Sequence, residues 1–227
     1  MSKVFIGAGH GGGDSGAVGR GGLLEKSLNL SIAKACAAEL ERHGVKVKLS
    51  RTKDENDPVE QEVAECNSYA PDLAVDIHNN AGGGDGAETF YSRVGGTGKK
   101  LAENILTEIA AMGQKSRGAK TRLNSSGADY YAFIRQTKAP AVIVECAFVD
   151  SADIALIDTE PERTAIGEAI ARGILRTLGI AYKPEKSPQE PRKFYRVQTG
   201  AFSDERNAKA EVQRLKRAGF EAIIVSQ

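Results

Sequence analysis

The 227-residue sequence predicts an α/β fold, in which a mostly parallel, twisted sheet flanked by helices is followed by a small C-terminal βαβ module. Three observations predict this fold class. Short apolar runs alternate with segments of helical periodicity, a proline-rich charged stretch interrupts this alternation near the C-terminus, and 41% of the residues are hydrophobic. Strands separated by helices favour parallel pairing, because each helix returns the chain to the start of the sheet. This hydrophobic content is enough for a buried core.

The predicted strands are short apolar runs that end at glycine, proline or polar residues. The last run follows Pro140 with four apolar residues and leads into Glu145. A segment rich in glycine and asparagine, Asn79–Gly86, is predicted to be a loop. The strands are predicted at Lys3–Gly7, Val45–Ser50, Leu73–Ile77, Ala87–Ser92 and Ala141–Glu145.

The predicted helices place apolar residues three or four positions apart, which gives each helix one face for the core. The first helix shows this stripe at Leu28, Ile32, Cys36 and Leu40. Gly44 follows it and is typical of a helix end. The helices are predicted at Glu25–His43, Asp57–Tyr69, Lys99–Met112 and Pro161–Leu178, with Asp57 as an N-cap.

A charged stretch with three prolines predicts a linker over residues 181–193. It divides the chain into a domain of residues 1–180 and a module of residues 194–227. In the module, strands at Phe194–Thr199 and Ala222–Val225 flank a helix at Asp204–Ala218. A single βαβ unit hardly buries enough surface to be stable alone.

Composition excludes several classes of protein. The net charge of +1 argues against a nucleic-acid partner. No apolar run approaches the roughly 18 residues of a membrane span, and the N-terminal residues lack the apolar core of a secretion signal. We therefore expect synthesis in the cytoplasm without a signal peptide.

The sequence has three cysteines, Cys36, Cys66 and Cys146. They are predicted to be reduced core thiols, since they are odd in number and far apart.

Nine of the 25 glycines lie within the first 22 residues, which indicates close backbone approach or unusual dihedral angles there. Gly7, Gly9 and Gly12 match the dinucleotide fingerprint, so a nicotinamide-dependent oxidoreductase is one alternative. Against it, the next helix begins only near Glu25, and His10 occupies the middle of the phosphate cradle.

Titratable side chains follow or end three of the predicted strands. His10, His78 and Glu145 would meet at one edge, because ligands bind beyond the carboxyl ends of parallel strands. Glu25, in the first turn of its helix, could join them. Two imidazoles and a carboxylate are typical of catalytic zinc, with a second carboxylate as proton acceptor. Each histidine alone could equally be structural, but a buried, unpaired acid such as Glu145 is costly.

The ordered residues Gly9–Gly12, Asp14, Glu25, Ile77–Ala81 and Pro140–Glu145 resemble the zinc-dependent N-acetylmuramoyl-L-alanine amidases of cell-wall lysis. The resemblance covers about residues 3–179. It implies that His10, Glu25 and His78 bind Zn²⁺ and that Glu145 is the catalytic acid/base. The implied reaction is hydrolysis of the amide between N-acetylmuramic acid and L-alanine of peptidoglycan.

The same resemblance implies that Asn79, Asn80 and Arg135 contact substrate. A solvent-exposed charge at a helix end is an equal alternative for Arg135. The segment Cys146–Ser151 departs from the family, which more often has a glycine and an asparagine there. A non-catalytic wall-binding protein on the same fold is the second alternative, although the intact set of four side chains argues against it.

The C-terminal module resembles one half of a peptidoglycan-binding SPOR domain, through residues 195–203 and the following helix. Full domains of this type have two βαβ halves. We therefore expect the module to bind peptidoglycan and to pair with a second copy as a homodimer, because an open sheet edge favours pairing. A truncated domain is the alternative. The enzyme would act on the cell wall after release or export.

Overall fold

Six strands form one sheet in the computed structural model, which describes residues 1–184, 200–220 and 222–224. The strands are β1 (Lys3–Ala8), β2 (Lys46–Leu49), β3 (Leu73–Asn80), β4 (Ala87–Tyr91), β5 (Ser116–Lys120) and β6 (Ala141–Phe148). Their order across the sheet is β2-β1-β3-β6-β4-β5. All neighbours are parallel except β4 and β6, which are antiparallel. The mostly parallel sheet confirms the predicted fold class.

Helices cover both faces of this sheet. They are α1 (Glu25–Arg42), α2 (Val59–Tyr69), α3 (Gly96–Ala110), α4 (Ala132–Gln136) and α5 (Glu160–Leu178). One face of the sheet, which includes Ile6 and Val144, packs against helices α1, α3 and α5. The other face, which includes Phe5 and Ile143, packs against α2 and α4. This division follows from the alternation of side chains along each strand. The three cysteines are free and buried, as predicted.

Two strands extend further than predicted, and both extensions reach the candidate site. Strand β3 includes His78, Asn79 and Asn80, which we predicted to follow the strand. Strand β6 continues to Phe148. Pairing between β3 and β6 explains both extensions. His78 is the register partner of Glu145, and Asn80 is the register partner of Phe148. Backbone hydrogen bonds therefore hold these polar residues in extended conformation, although their composition indicated a loop.

Strand β5 and helix α4 were not predicted. The β5 sequence has little apolar character, because this strand lies at an edge of the sheet with its side chains partly or fully exposed. Helix α4 has five residues, too few for apolar periodicity to be recognised. Short 3-10 helices at Arg20–Gly22 and Ala152–Leu156 complete the elements that precede residue 184.

The chain divides into two compact units, Met1–Lys183 and Pro184–Gln227. Their boundary falls within the predicted linker 181–193, but residues 185–193 lie outside the described residues, so the domain bounds stay a prediction. In the second unit, α6 (Glu205–Arg217) lies within the predicted helix. Residues 222–224 are not in a strand, and the predicted strand Phe194–Thr199 lies outside the described residues. Among the described residues, no helix is both long enough and apolar enough to span a membrane.

Candidate metal centre and active site

Three predicted ligands meet at the carboxyl edge of β1 and β3. One ligand atom from each of His10, Glu25 and His78 lies within 4.8 Å of the others. His10 Nε2 is 3.3 Å from Glu25 Oε2, and His78 Nδ1 is 3.2 Å from Glu25 Oε1. The two imidazole rings are nearly perpendicular, with centroids 5.0 Å apart. The two histidines therefore approach the two oxygens of one carboxylate from different directions.

The Glu25 carboxylate is buried and held by backbone amides. The Ala17 amide donates to Oε2 at 2.9 Å, and the Asn79 amide donates to Oε1 at 3.1 Å. Burial raises the pKa of Glu25. Hydrogen bonds from His10 and His78 together outweigh this effect, so the pKa lies well below its usual range. Glu25 is therefore ionised at neutral pH, as a metal ligand must be.

His10 is oriented by a second carboxylate. Its Nδ1 lies 2.8 Å from Asp14 Oδ2, which leaves Nε2 facing Glu25. The hydrogen bond with Glu25 is the main cause of a raised His10 pKa. His10 also has a φ of 63°, in the left-handed region that residues with a side chain rarely adopt. Such strain persists where surrounding contacts enforce it, and it clusters at functional sites.

His78 is oriented from the opposite side by Asp76, two residues earlier on β3. Its Nε2 lies 3.0 Å from Asp76 Oδ2, which leaves Nδ1 facing Glu25. Burial lowers the pKa of His78, but the charge of Asp76 and the hydrogen bonds raise it above its usual value. Behind Asp76 lies the buried Glu62 carboxyl, whose pKa is raised by burial and by Asp76 and Asp57. A second layer of acids thus lies beneath the histidine.

The glycine-rich loop makes room for these side chains. A Cβ atom at Gly9 would lie 2.1 Å from His78 Cε1. Gly16 has a φ of 62°, and a Cβ atom there would lie 2.6 Å from Glu25 Oε2. Close approach to the three candidate ligands therefore accounts for glycine at both positions. At Gly9, the dinucleotide interpretation had instead required a pyrophosphate.

Glu145 lies beside this cluster on the neighbouring strand, as the register partner of His78. It is partly buried, and among the described residues its shielded Oε2 atom has no hydrogen-bond partner. Burial raises the pKa of Glu145 to about 7, against the opposing effect of His78. A carboxyl group with such a pKa can accept and return a proton near neutral pH.

The donor set fits a zinc ion. Two imidazole nitrogens and one carboxylate oxygen converge, each ligand has a partner that orients it, and an unpartnered carboxylate oxygen of Glu145 lies alongside. Three protein ligands with an open position are typical of catalytic zinc sites, and oriented histidines are typical of their surroundings.

The structure places the three predicted substrate residues differently from one another. Asn79 is 3% exposed and donates to Asn29 Oδ1 at 2.8 Å, so its side chain does not face a groove. Successive strand residues point to opposite faces, so Asn79 and Asn80 lie on different sides of the sheet, and the contact of Asn79 with substrate stays a prediction. Asn80 lies on the Glu145 face and donates to Glu88. The Arg135 guanidinium donates to the Asp129 and Tyr130 carbonyls, and its contact with substrate stays a prediction.

Sequence reasoning missed Arg51, which connects the elements that carry the ligands. Arg51 is 2% exposed, and its Nε donates to the Ala8 carbonyl at 2.8 Å. Another N–H donates to the Lys26 carbonyl at 2.6 Å, in the first turn of α1. Its position directly after a predicted strand, at the same edge as His10, was the available signal. Asp14 and Asp76, four and two residues from the histidines, were likewise not assigned a role, although Asp14 was among the residues that carry the family resemblance.

The chain is similar to known proteins over nearly its whole length. Residues 4–176 match the N-acetylmuramoyl-L-alanine amidase family, and residues 171–227 match the SPOR domain. The sporulation-specific N-acetylmuramoyl-L-alanine amidase of Bacillus subtilis is 33% identical over 229 residues, which cover 99% of this chain and 85% of that protein.

Solved structures show the same likeness. Cwp6 from Clostridium difficile has a TM-score of 0.77 and 36% identity, over 78% of this chain and 29% of that chain. The amidase AmiC2 of Nostoc punctiforme has a TM-score of 0.72 and 32% identity, over 78% of this chain and 97% of that chain. The chain therefore belongs to the N-acetylmuramoyl-L-alanine amidase family and is an enzyme that hydrolyses the amide bond between N-acetylmuramic acid and L-alanine in cell-wall peptidoglycan.

Proposed function

We propose that this amidase is zinc-dependent, with His10, Glu25 and His78 as the metal ligands and Glu145 as the catalytic acid/base. The observation that carries the proposal is the convergence of the three ligand atoms within 4.8 Å. The pairing of His78 with Glu145 across β3 and β6 supports the second role, because cross-strand partners have neighbouring side chains.

Zinc in such a site supplies Lewis-acid chemistry, which polarises a carbonyl group and makes a water molecule easier to deprotonate. Glu145 accepts a proton from the attacking water at its unpartnered Oε2. The water oxygen bonds to the lactyl carbonyl carbon, and the bond from that carbon to the alanine nitrogen breaks. Glu145 returns the proton to the leaving amine, so the products are a lactyl carboxylic acid and a free stem peptide.

The test combines product analysis with metal content. Digests of purified cell walls should contain stem peptides with an amino-terminal L-alanine, as identified by mass spectrometry. Chelation should abolish their release and zinc should restore it. Glu145→Gln should retain zinc but lose hydrolysis, whereas His78→Ala should lose both. Glu103→Gln, at an exposed acid on α3, is the matched control. An active Glu145→Gln variant would show that the assigned base is wrong.

We also propose that the C-terminal unit pairs with a second copy of the chain. Its helix α6 has no buried residue, and Phe202, Phe220 and Ile223 are exposed. An isolated unit of this size buries too little apolar surface to offset its chain entropy, so a second copy would supply the missing surface. Sedimentation equilibrium of the full chain should give a dimer, and Phe220→Ser should weaken it. A monomer at all concentrations would contradict this pairing.

A further inference from the structure

The polar face of the site continues beyond Glu145 onto the next strand. Glu88 on β4 is the direct register partner of Glu145 on β6, in the antiparallel pair of the sheet. Side chains of such partners lie next to each other on one face. Glu88 is buried, with 8% of its side chain exposed. A second carboxylate therefore lies beside the proposed acid/base, and the mechanism above does not use it.

Three donors hold the Glu88 carboxylate. Asn80 Nδ2 donates to Oε1 at 2.9 Å, Arg117 Nε donates to Oε2 at 3.1 Å, and Lys120 Nζ also donates to Oε2. These contacts lower the pKa of Glu88 against the effect of burial, so the group is ionised. The single carboxylate of Glu88 thus faces two cations, Arg117 and Lys120. The cluster of these three side chains carries one net positive charge and lies beside Glu145.

The two cations are fixed in place yet open to solvent. The side chains of Arg117 and Lys120 are 36% and 39% exposed. The Arg117 guanidinium lies 5.0 Å from the centre of the Phe148 ring, which adds a second restraint. An arginine has five N–H groups and a lysine three, and the bond to Glu88 uses one of each. The remaining donors can bind an anion, and a bound carboxylate would balance the excess charge.

The substrate presents such an anion on one side of the bond that is cut. The muramic acid side offers neutral hydroxyl and acetamido groups, whereas the peptide side carries the free carboxylate of the acidic residue that follows L-alanine in the stem. We propose that Arg117 and Lys120, held by Glu88, bind this stem-peptide carboxylate and so select acidic over amidated stem peptides. This inference rests on the proposed function, since it places the peptide beside Glu145.

The experiment compares two soluble peptidoglycan fragments that differ in one group. Both are disaccharide peptides, one with D-glutamate and one with D-isoglutamine after L-alanine, so the second has a neutral amide in place of the carboxylate. The zinc-loaded full chain should cleave the acidic form with a kcat/KM about tenfold higher, the size of one hydrogen bond to a charged group. The difference should appear mainly in KM, because this contact is the same in the bound substrate and in the transition state.

Variants of one lysine connect this preference to the cluster. Lys120→Met should reduce the preference toward unity. Lys120→Arg should retain the preference, because it keeps the charge. Lys115→Met is the matched control, since Lys115 pairs with the exposed Asp85 and has no contact with Glu88 among the described residues. It should retain the wild-type preference.

Equal kcat/KM values for the two fragments in the wild-type chain would overturn the inference. A preference that survives in Lys120→Met would overturn the assignment to this cluster. Failure of the proposed function has a different signature, because cleavage of both fragments would then persist after chelation or in Glu145→Gln.

Discussion

Each candidate ligand has a second contact that determines which of its atoms faces the metal centre. Asp14 holds Nδ1 of His10, and Asp76 holds Nε2 of His78. Glu25 instead accepts backbone amides at both oxygens. Such contacts orient a ligand before metal binds, which reduces the entropy lost on binding. The proposed zinc site therefore depends on residues beyond its three ligands.

Asp76 offers a direct test of this dependence. Asp76→Ala removes the acceptor of the His78 Nε2–H, so the imidazole can rotate away and zinc affinity should fall about 10-fold to 100-fold. Asp76→Asn keeps a neutral acceptor and should give an intermediate loss. Zinc affinity is measured by competition with a chromogenic chelator. Asp72→Asn is the control, because Asp72 accepts from the Lys3 amide before β3 begins. Unchanged affinity in Asp76→Ala would show that Asp76 does not orient the ligand.

Gly9 tests the close approach of the loop to His78. In Gly9→Ala the new methyl group would overlap the imidazole, so either the ring or the loop must move. We expect a loss of about 1–3 kcal/mol in the free energy of unfolding, as for other overpacked sites, together with weaker zinc binding. Urea unfolding measures the first and chelator competition the second. Gly13→Ala should change neither, because its Cβ atom would meet only Asn56 Oδ1, at 3.8 Å.

At the scale of elements, strand β3 divides its polar residues between two faces. Asp76, His78 and Asn80 share the face of Glu145, whereas Asn79 points toward α1 and bonds to Asn29. The alternation of a strand dictates this division. The prediction of a loop from residue 79 concealed it, because loop residues have no fixed alternation. Predicting this division from the sequence requires the register of β3 with β6. That register depends on the order of the strands across the sheet.

Arg51 joins the loop after β1 to α1, and its replacement tests how strongly the elements depend on it. Arg51→Lys keeps the charge but cannot reach the Ala8 and Lys26 carbonyls together, which leaves a buried acceptor unpaired. We expect a loss of about 1–3 kcal/mol in the free energy of unfolding, measured with urea. The exposed Arg93→Lys should have an effect within about 0.5 kcal/mol. Equal stability of the two variants would contradict the tethering role.

For the whole molecule, metal binding and folding are expected to be coupled. His10, Glu25 and His78 come from the loop after β1, from α1 and from β3, so only the folded chain brings them together. Free zinc at a hundred times its dissociation constant should stabilise the native state by about 2.7 kcal/mol. This corresponds to about 5–10 °C in melting temperature. Calorimetry with and without chelator measures this shift in melting temperature. The Glu145→Gln variant should show the same shift as the wild type, and the His78→Ala variant should show none. An identical shift in His78→Ala would contradict the ligand assignment.

By itself the sequence determined the fold class, the positions of the longer helices and the four side chains proposed for catalysis. Hydrophobic periodicity is a local property, and it is strong in long elements such as α1 and α5. His10, His78 and Glu145 were found because parallel strands present their carboxyl ends at one edge. The same local signal is weak in short or exposed elements, so β5 and α4 were missed.

Only the tertiary structure decided which side chains touch. The contacts of Asp76 with His78 and of Glu88 with Arg117 and Lys120 depend on strand order and register. The burial of Asn79 depends on the helix packed above it. Register and packing are set by the sum of interactions over the whole core, and a one-residue shift would reverse every side chain of a strand. No local pattern contains that information, so the partners of the site residues became visible only in the folded molecule.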